Sequence, residues 1–368
     1  MPQPIAHVVG ARPNFMKAAP VIRALAERGI SQTVIHTGQH YDAAMSDVFF
    51  HDLGLPEPDL NLGVGSGSQA SQTGALMVAL EKAFATARPA LAVVYGDVNS
   101  TIAAALVASK TGLPLAHVEA GLRSFDDTMP EEVNRRVTDL LSELLFVTSP
   151  EGVDNLRAVG IPADRIHLVG NPMIDTLLAN LSRFDPDRMR GTLGLEGGPY
   201  AVATLHRPAN VDTPRAAARI VAAVNGLAEL VPLVLPLHPR GRPTLEAAGL
   251  ASSDRLRVVE PLGYVDFISL VRGAAIVLTD SGGIQEETTI LGVPCLTVRP
   301  NTERPITISH GTNRLVTPDE VVTLARRILA DGLVAPPESP PLWDGHAGQR
   351  IAAILEAWLG RAAGHLMP

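Results

Sequence analysis

The chain has 368 residues, 46% of them hydrophobic and 18% charged, which is enough apolar material for two domains with their own cores. A net charge of −8 at pH 7 excludes a general basic field for nucleic acid or an anionic membrane, so an anionic ligand must be held by helix N-termini and a few arginines. Cys295 is the only cysteine, which excludes an intrachain disulfide and a cysteine zinc cluster.

Residues 1–5 show no basic stretch leading into an apolar one, and no apolar run of about 18 residues follows, so the cytoplasm is the expected address. Short apolar runs alternate with Ala-rich segments of helical period. Strands are predicted at 5–10, 33–37, 91–95, 115–118, 144–147 and 166–169, with helices at 16–28, 101–110 and 131–141. Turn-rich residues at 182–199 break the pattern. A second series follows, with strands at 200–205, 233–237, 256–259, 276–278 and 295–298, and helices at 214–230, 265–272 and 284–291. The Pro-rich stretch 335–341 reads as a linker to a last helix near 349–359. This alternation predicts an α/β protein of two Rossmann-like domains with parallel sheets, 1–181 and 182–345, and a C-terminal helix, 346–368, packing back on the first domain.

Polar residues cluster just after the predicted strands: Gly10-Ala11-Arg12, Gly38-Gln39-His40, Gly96-Asp97, Glu119-Ala120-Gly121, His206-Arg207, His238-Pro239-Arg240 and Asp280-Ser281-Gly282-Gly283. Open α/β sheets bind ligands beyond the carboxyl ends of their strands, so two such edges are expected to face a common cleft.

Each cluster has two readings. Thr279 to Glu287 passes from strand to helix. Its glycines and free N–H groups suit a phosphate, and Glu287 suits a ribose diol; equally, Ser281 is a helix cap. Arg12 and Lys17 flank a helix start and suit a diphosphate, yet such cations are ordinary on a surface. Asp97 and Ser100 suit a cap, whereas Glu119 ends an apolar strand where no helix begins. Thr128 and Glu131 have capping-box spacing, with Pro130 in the first turn and Glu131-Arg135 and Glu132-Arg136 at i,i+4. His206 and His238 end strands and suit acid/base or phosphate-binding roles. No histidine falls in a metal-binding motif.

In order and spacing, from Gly10 to about Val316, these segments resemble the non-hydrolysing UDP-N-acetylglucosamine 2-epimerases. The resemblance is carried by the Arg12-Pro13 to Lys17 turn, Gly96-Asp97, His117 to Arg123, Pro130-Glu131-Glu132, Thr279 to Glu287 and Thr302-Glu303-Arg304-Pro305. It implies a glycosyltransferase-B-like architecture with a nucleotide-binding second domain, a UDP-sugar substrate, a homodimer, and neither metal nor nicotinamide cofactor. C2 of such a sugar is not adjacent to a carbonyl, so inversion there calls for elimination of UDP to a glycal and its re-addition. By resemblance Asp97, Glu119, Glu131 and His206 are the catalytic residues. Arg12, Lys17, His40, Arg135, His238, Ser281, Gly282, Gly283, Glu287 and Arg304 hold the substrate and its UDP. The chain departs from the pattern at Asn14, where many members have glutamate, and at Pro208 and Asp42, near a site for an activating second UDP-sugar. Weak or absent activation is expected.

Overall fold

A computed structural model describes residues 3–38, 55–195, 197–237, 241–332 and 338–365, with Arg12 and residues 362–365 described in their backbone alone. The chain forms two compact units, Met1–Ala179 with Pro341–Pro368, and Asn180–Pro340.

The first unit contains strands β1 (Ile5–Val9), β2 (Gln32–His36), β3 (Leu60–Asn61), β4 (Leu91–Tyr95), β5 (Leu115–Ala120), β6 (Leu144–Val147) and β7 (Ile166–Leu168). Helices α1 (Arg12–Glu27), α2 (Gln69–Ala87), α3 (Asn99–Thr111), α4 (Pro130–Leu141), α5 (Pro150–Ala158) and α6 (Pro172–Ala179) accompany them. The strands pair in parallel in the order β3-β2-β1-β4-β5-β6-β7. Because helices cover both faces of such a sheet, β1, β4 and β6 are buried at every position and read as unbroken apolar runs. His7 is the polar exception in β1. It is bonded to the Tyr95 hydroxyl (2.7 Å) and Gln32 Oε1 (2.9 Å), and burial pushes its pKa down to about 4, against the raising effect of Gln32.

The second unit contains β8 (Ala201–Thr204), β9 (Leu233–Pro236), β10 (Leu256–Val259), β11 (Ile276–Thr279), β12 (Cys295–Val298) and β13 (Asn313–Val316), parallel in the order β10-β9-β8-β11-β12-β13. Its helices are α7 (Pro186–Thr192), α8 (Pro208–Val211), α9 (Pro214–Leu230), α10 (Arg242–Ala247), α11 (Tyr264–Arg272), α12 (Gly282–Leu291), α13 (Ile306–Ser309) and α14 (Val321–Asp331). The last helix, α15 (Ala347–His365), belongs to the first unit. Asp175 caps its start through the backbone N–H groups of Ala347 (3.1 Å) and Gly348 (2.7 Å), and a Cβ on Gly348 would stand 2.6 Å from the Pro20 carbonyl of α1. Among the described residues, no helix is long and apolar enough to cross a membrane.

In each sheet the order reverses once, between β1 and β4 in the first unit and between β8 and β11 in the second. Chain crossovers leave opposite faces at that point, opening a crevice beyond the strand ends. The clusters after β1 and β4, and those after β8 and β11, flank these two reversals.

Candidate active site

In the first unit the turn after β1 leads directly into α1, with Ala11 in extended conformation as the residue before the helix. Asn14 closes this turn. Its side-chain oxygen accepts from the N–H groups of Gly10 (3.2 Å) and Ala11 (3.0 Å), while its amide donates to the Tyr95 carbonyl (2.8 Å). An ionised carboxylate there would have no donor for the Tyr95 carbonyl, so the turn calls for the amide.

Lys17, one turn into α1, makes a buried ion pair with Glu119. Glu119 occupies a register shift between Val118 and Ala120 in β5 and has φ +73°, a conformation few side-chain-bearing residues adopt. The bulge turns its carboxylate toward Lys17. Both charged tips press on Gly96 (φ +64°), where a Cβ would stand 3.0 Å from Lys17 Nζ and 3.1 Å from Glu119 Oε2. Only glycine fits both the backbone and the space.

Asp97 follows Gly96 and pairs with Arg135 of α4, which also pairs with Glu132. Asn134 donates to the Asp97 carbonyl (2.8 Å). Glu132, almost fully buried, accepts from the N–H and hydroxyl of Ser124 (2.9 Å each). His117 contacts Asp139 (2.8 Å) and the Gly96 carbonyl (2.8 Å), and Asp139 also takes the Arg123 guanidinium (2.6 Å).

The helical-cap reading of this segment does not hold. The residue preceding α4 is Met129, not Thr128, and it makes no side-chain cap. Thr128 instead donates its hydroxyl to Asp126 (2.6 Å). Neither i,i+4 Glu-Arg pair forms: Arg135 turns to Asp97 and Glu132, and Arg136 to Asp127. Glu131 is left exposed, one turn before Arg135, with no hydrogen bond or ion pair among the described residues. Asp97 and Ser100 do not cap α3 either, since Val98 precedes that helix.

In the second unit, Asp280 is fully buried beyond β11. It accepts from the backbone N–H groups of His206 (3.1 Å) and Arg207 (2.9 Å) and from the Asn210 amide (3.0 Å). The His206 ring nitrogen Nδ1 lies 3.0 Å from its Oδ1. Ser281 precedes α12 in extended conformation but makes no side-chain cap, and no acidic residue falls in the first turn. The helix start at Gly282 and Gly283 is therefore not occupied by a cap of its own. A Cβ on Gly282 would stand 2.5 Å from Arg304 Nη1 and 2.9 Å from Glu303 Oε1. Arg304 is itself buried and pairs with Glu286 (2.8 Å) and Glu303.

Glu287 is buried within α12, and its Oε1 has no hydrogen-bond partner among the described residues. Burial pushes its pKa up to about 8; the Tyr264 hydroxyl opposes this and the Glu286 carboxylate adds to it. A buried carboxyl oxygen left open beside a glycine-rich helix start is an arrangement that a ligand hydroxyl satisfies.

Lys17, Asp97, Glu119 and Arg135 thus gather near the reversal of the first sheet, while Glu131 is exposed one turn before Arg135 without a described contact to them; His206, Ser281, Gly282, Gly283, Glu287 and Arg304 lie on the segments at that of the second. The backbone of Arg12 opens α1, but its side chain lies outside the described residues, as do His40, Asp42 and His238 altogether. Sequence reading missed the supporting partners Glu132, Asn134, Asp139, Tyr264 and Asp280. For Asp280 the signal was present: like Glu119, it is a carboxylate placed directly after an apolar strand.

The family model described as UDP-N-acetylglucosamine 2-epimerase matches residues 23–356. The UDP-N-acetylglucosamine 2-epimerase of Methanocaldococcus jannaschii is 39% identical over 358 residues, covering 95% of this chain and 97% of that protein. The UDP-2,3-diacetamido-2,3-dideoxy-D-glucuronate 2-epimerase of Pseudomonas aeruginosa is 41% identical over 355 residues, 95% of this chain and 98% of that one. The crystal structure of the M. jannaschii UDP-GlcNAc 2-epimerase in complex with UDP-GlcNAc and UDP is similar at a TM-score of 0.89 with 39% identity, covering 96% of this chain and 99% of the other.

Proposed function

From the premise that the chain belongs to the UDP-N-acetylglucosamine 2-epimerase family, we propose that it interconverts UDP-N-acetylglucosamine and UDP-N-acetylmannosamine by eliminating and re-adding UDP. A base removes the C2 proton as the C1–O bond breaks. Its electron pair leaves with the phosphate oxygen, and C1 and C2 become doubly bonded. UDP then adds back at C1 while a proton reaches the opposite face of C2.

The observation that carries this reading is the placement of Glu119 and Asp97 at one sheet edge, each held by a different cation, with Glu131 exposed one turn before Arg135 on α4. Glu119 is tied to Lys17, Asp97 to Arg135, and Glu131 is open. Carboxylates in unlike surroundings are what a reaction needs that takes a proton from one face of a carbon and returns one to the other. The second unit supplies the nucleotide anchors: the start of α12 for phosphate and the open oxygen of Glu287 for ribose hydroxyls. The family resemblance adds a homodimer acting without metal or nicotinamide.

Proton NMR with UDP-N-acetylglucosamine in heavy water tests the proposal. Appearance of the manno sugar with deuterium at C2 is the expected result. Retention of the original hydrogen, or release of UDP without epimer, refutes it. The 41% identity to an enzyme named for a diacetamido-glucuronate favours a second reading, in which the sugar carries a carboxylate at C6. The same assay with that sugar nucleotide decides between them through kcat/KM.

A further inference from the structure

We propose that Asp280 is a positioning residue for His206, holding the imidazole with its proton on Nδ1 and leaving Nε2 to exchange a proton with the substrate. The proposal rests on the reading of His206 as an acid/base group in the reaction above.

The His206–Asn210 segment wraps one carboxyl group. Asp280 takes backbone N–H groups of His206 and Arg207 and the Asn210 amide, and its own carbonyl accepts from Arg207 Nε (3.0 Å). Every one of these neighbours is a donor. Burial alone would raise the carboxyl's pKa, but the hydrogen bonds from His206, Asn210 and Arg207 outweigh it and hold Asp280 below the usual carboxylate range. An ionised carboxylate only accepts, so the ring nitrogen 3.0 Å away must carry hydrogen in either charge state of the imidazole.

Folding of the segment is already secured by the backbone and Asn210 donors. The ring contact adds something else, orientation. His206 is 48% exposed at its side chain while Asp280 is fully buried, so the ring is fixed at its inner nitrogen and open at its outer one. Nε2 has no partner among the described residues. A carboxylate behind an imidazole selects the tautomer and steadies the imidazolium when it forms, the arrangement general acid/base catalysis uses elsewhere. Here the imidazolium offers Nε2–H to the departing phosphate oxygen of UDP; giving it up leaves the neutral ring protonated on Nδ1, and Nε2 takes the proton back on re-addition.

The test combines histidine-ring ¹⁵N NMR with kinetics on the full chain, His206→Asn serving to assign the signal. Wild type is expected to show His206 protonated on Nδ1. Asp280→Asn offers an amide N–H to the same nitrogen and is expected to move the proton toward Nε2. The kcat should fall about 10²–10⁴-fold, the range general acid/base catalysis supplies, with KM and UDP affinity unchanged. Asn210→Ala keeps the carboxylate against the ring and should retain turnover, which a mere loosening of the segment would not allow. The proposal is overturned if wild-type His206 carries its proton on Nε2, a result that needs no variant to fold. It is also overturned if Asp280→Asn turns over normally, or if Asn210→Ala loses as much as Asp280→Asn. Full turnover in His206→Asn overturns the parent reading of His206, whatever the tautomer.

Discussion

Replacing Lys17 with methionine keeps the aliphatic stem and removes the charge, so the buried Glu119 carboxylate loses the Lys17 ammonium. The two side chains are 7% and 3% exposed, so water cannot take the place of the ammonium. Breaking a buried pair in this way costs about 3–5 kcal/mol. Each kcal/mol shifts the melting temperature of a 150–250-residue domain by about 2–4 °C, so a fall of roughly 6–20 °C is expected. Methionine still packs along the apolar part of the site, which favours the lower end.

The structure also supplies a probe of the first unit alone. Both tryptophans of the chain belong to it: Trp343 donates to the Thr148 carbonyl (2.9 Å) and Trp358 to Glu143 (2.8 Å). Thermal unfolding followed by tryptophan emission therefore reports the unit that holds the pair, without the second unit's transition. The double variant Lys17→Met with Glu119→Gln has no orphaned charge and should regain most of the lost stability. It should regain none of the turnover if Glu119 serves as one of the acid/base groups proposed above, because an amide cannot exchange a proton with the sugar, a loss of at least about 100-fold. A single variant that melts within about 2 °C of wild type, or a double variant no more stable than the single, refutes the argument from the buried Lys17–Glu119 pair.

Glu131→Gln should leave stability unchanged, since Glu131 is exposed and caps nothing, and should slow epimerisation at least about 100-fold with normal UDP binding. Near-wild-type turnover would leave the acid/base work to Asp97 and Glu119. Glu287, its pKa raised to about 8, stays protonated at neutral pH; the stability this confers is fully present below the ordinary glutamate range and is lost as pH rises through about 8. Ribose hydroxyls donating to it favour the ionised form, so UDP binding at pH 7 should release protons and tighten as pH rises toward 8. Titration calorimetry in buffers of different ionisation enthalpy checks this, and buffer-independent heats in wild type would count against a ribose–Glu287 contact.

Strand ends were legible in the sequence because a doubly wound sheet needs apolar residues along its strands and tolerates polar ones just beyond them. Gly96-Asp97, Glu119, His206 and Asp280 stand out for that reason, and all but Glu119 follow the strands that flank the sheet reversals. The two-residue β3 and the Asn313–Val316 strand β13, exposed at Arg314, carry too little apolar pattern to announce themselves. Pairing was the least legible feature. The capping-box reading failed by one residue: with Met129 before the helix, Glu132 and not Glu131 takes the third helical position, and Glu132 is already spent on Ser124 and Arg135. Two adjacent glutamates, alike in sequence, end as a buried strut and an open carboxylate.

Helix α4 explains why hydrophobicity misleads at this point. Glu132, Arg135 and Asp139 recur at i, i+3 and i+7, one face of the helix, and all three are buried. Val133 and Leu140 on the other side are 46% and 56% exposed. The ordinary amphipathic arrangement is inverted, because each inward charge ties down a different piece of the sheet edge: Glu132 the segment after β5, Arg135 Asp97 in the turn after β4, Asp139 the His117 and Arg123 on either side of Glu119. Buried charges are a weak source of stability, and a well-packed apolar face often serves a fold equally well or better. A helix that buries three of them, and through them fixes Asp97 and the bulge at Glu119, is accounted for by the geometry it imposes on those two carboxylates. The charges that the sequence pairs along α4 at i,i+4 instead turn inward and tie that helix to the sheet edge.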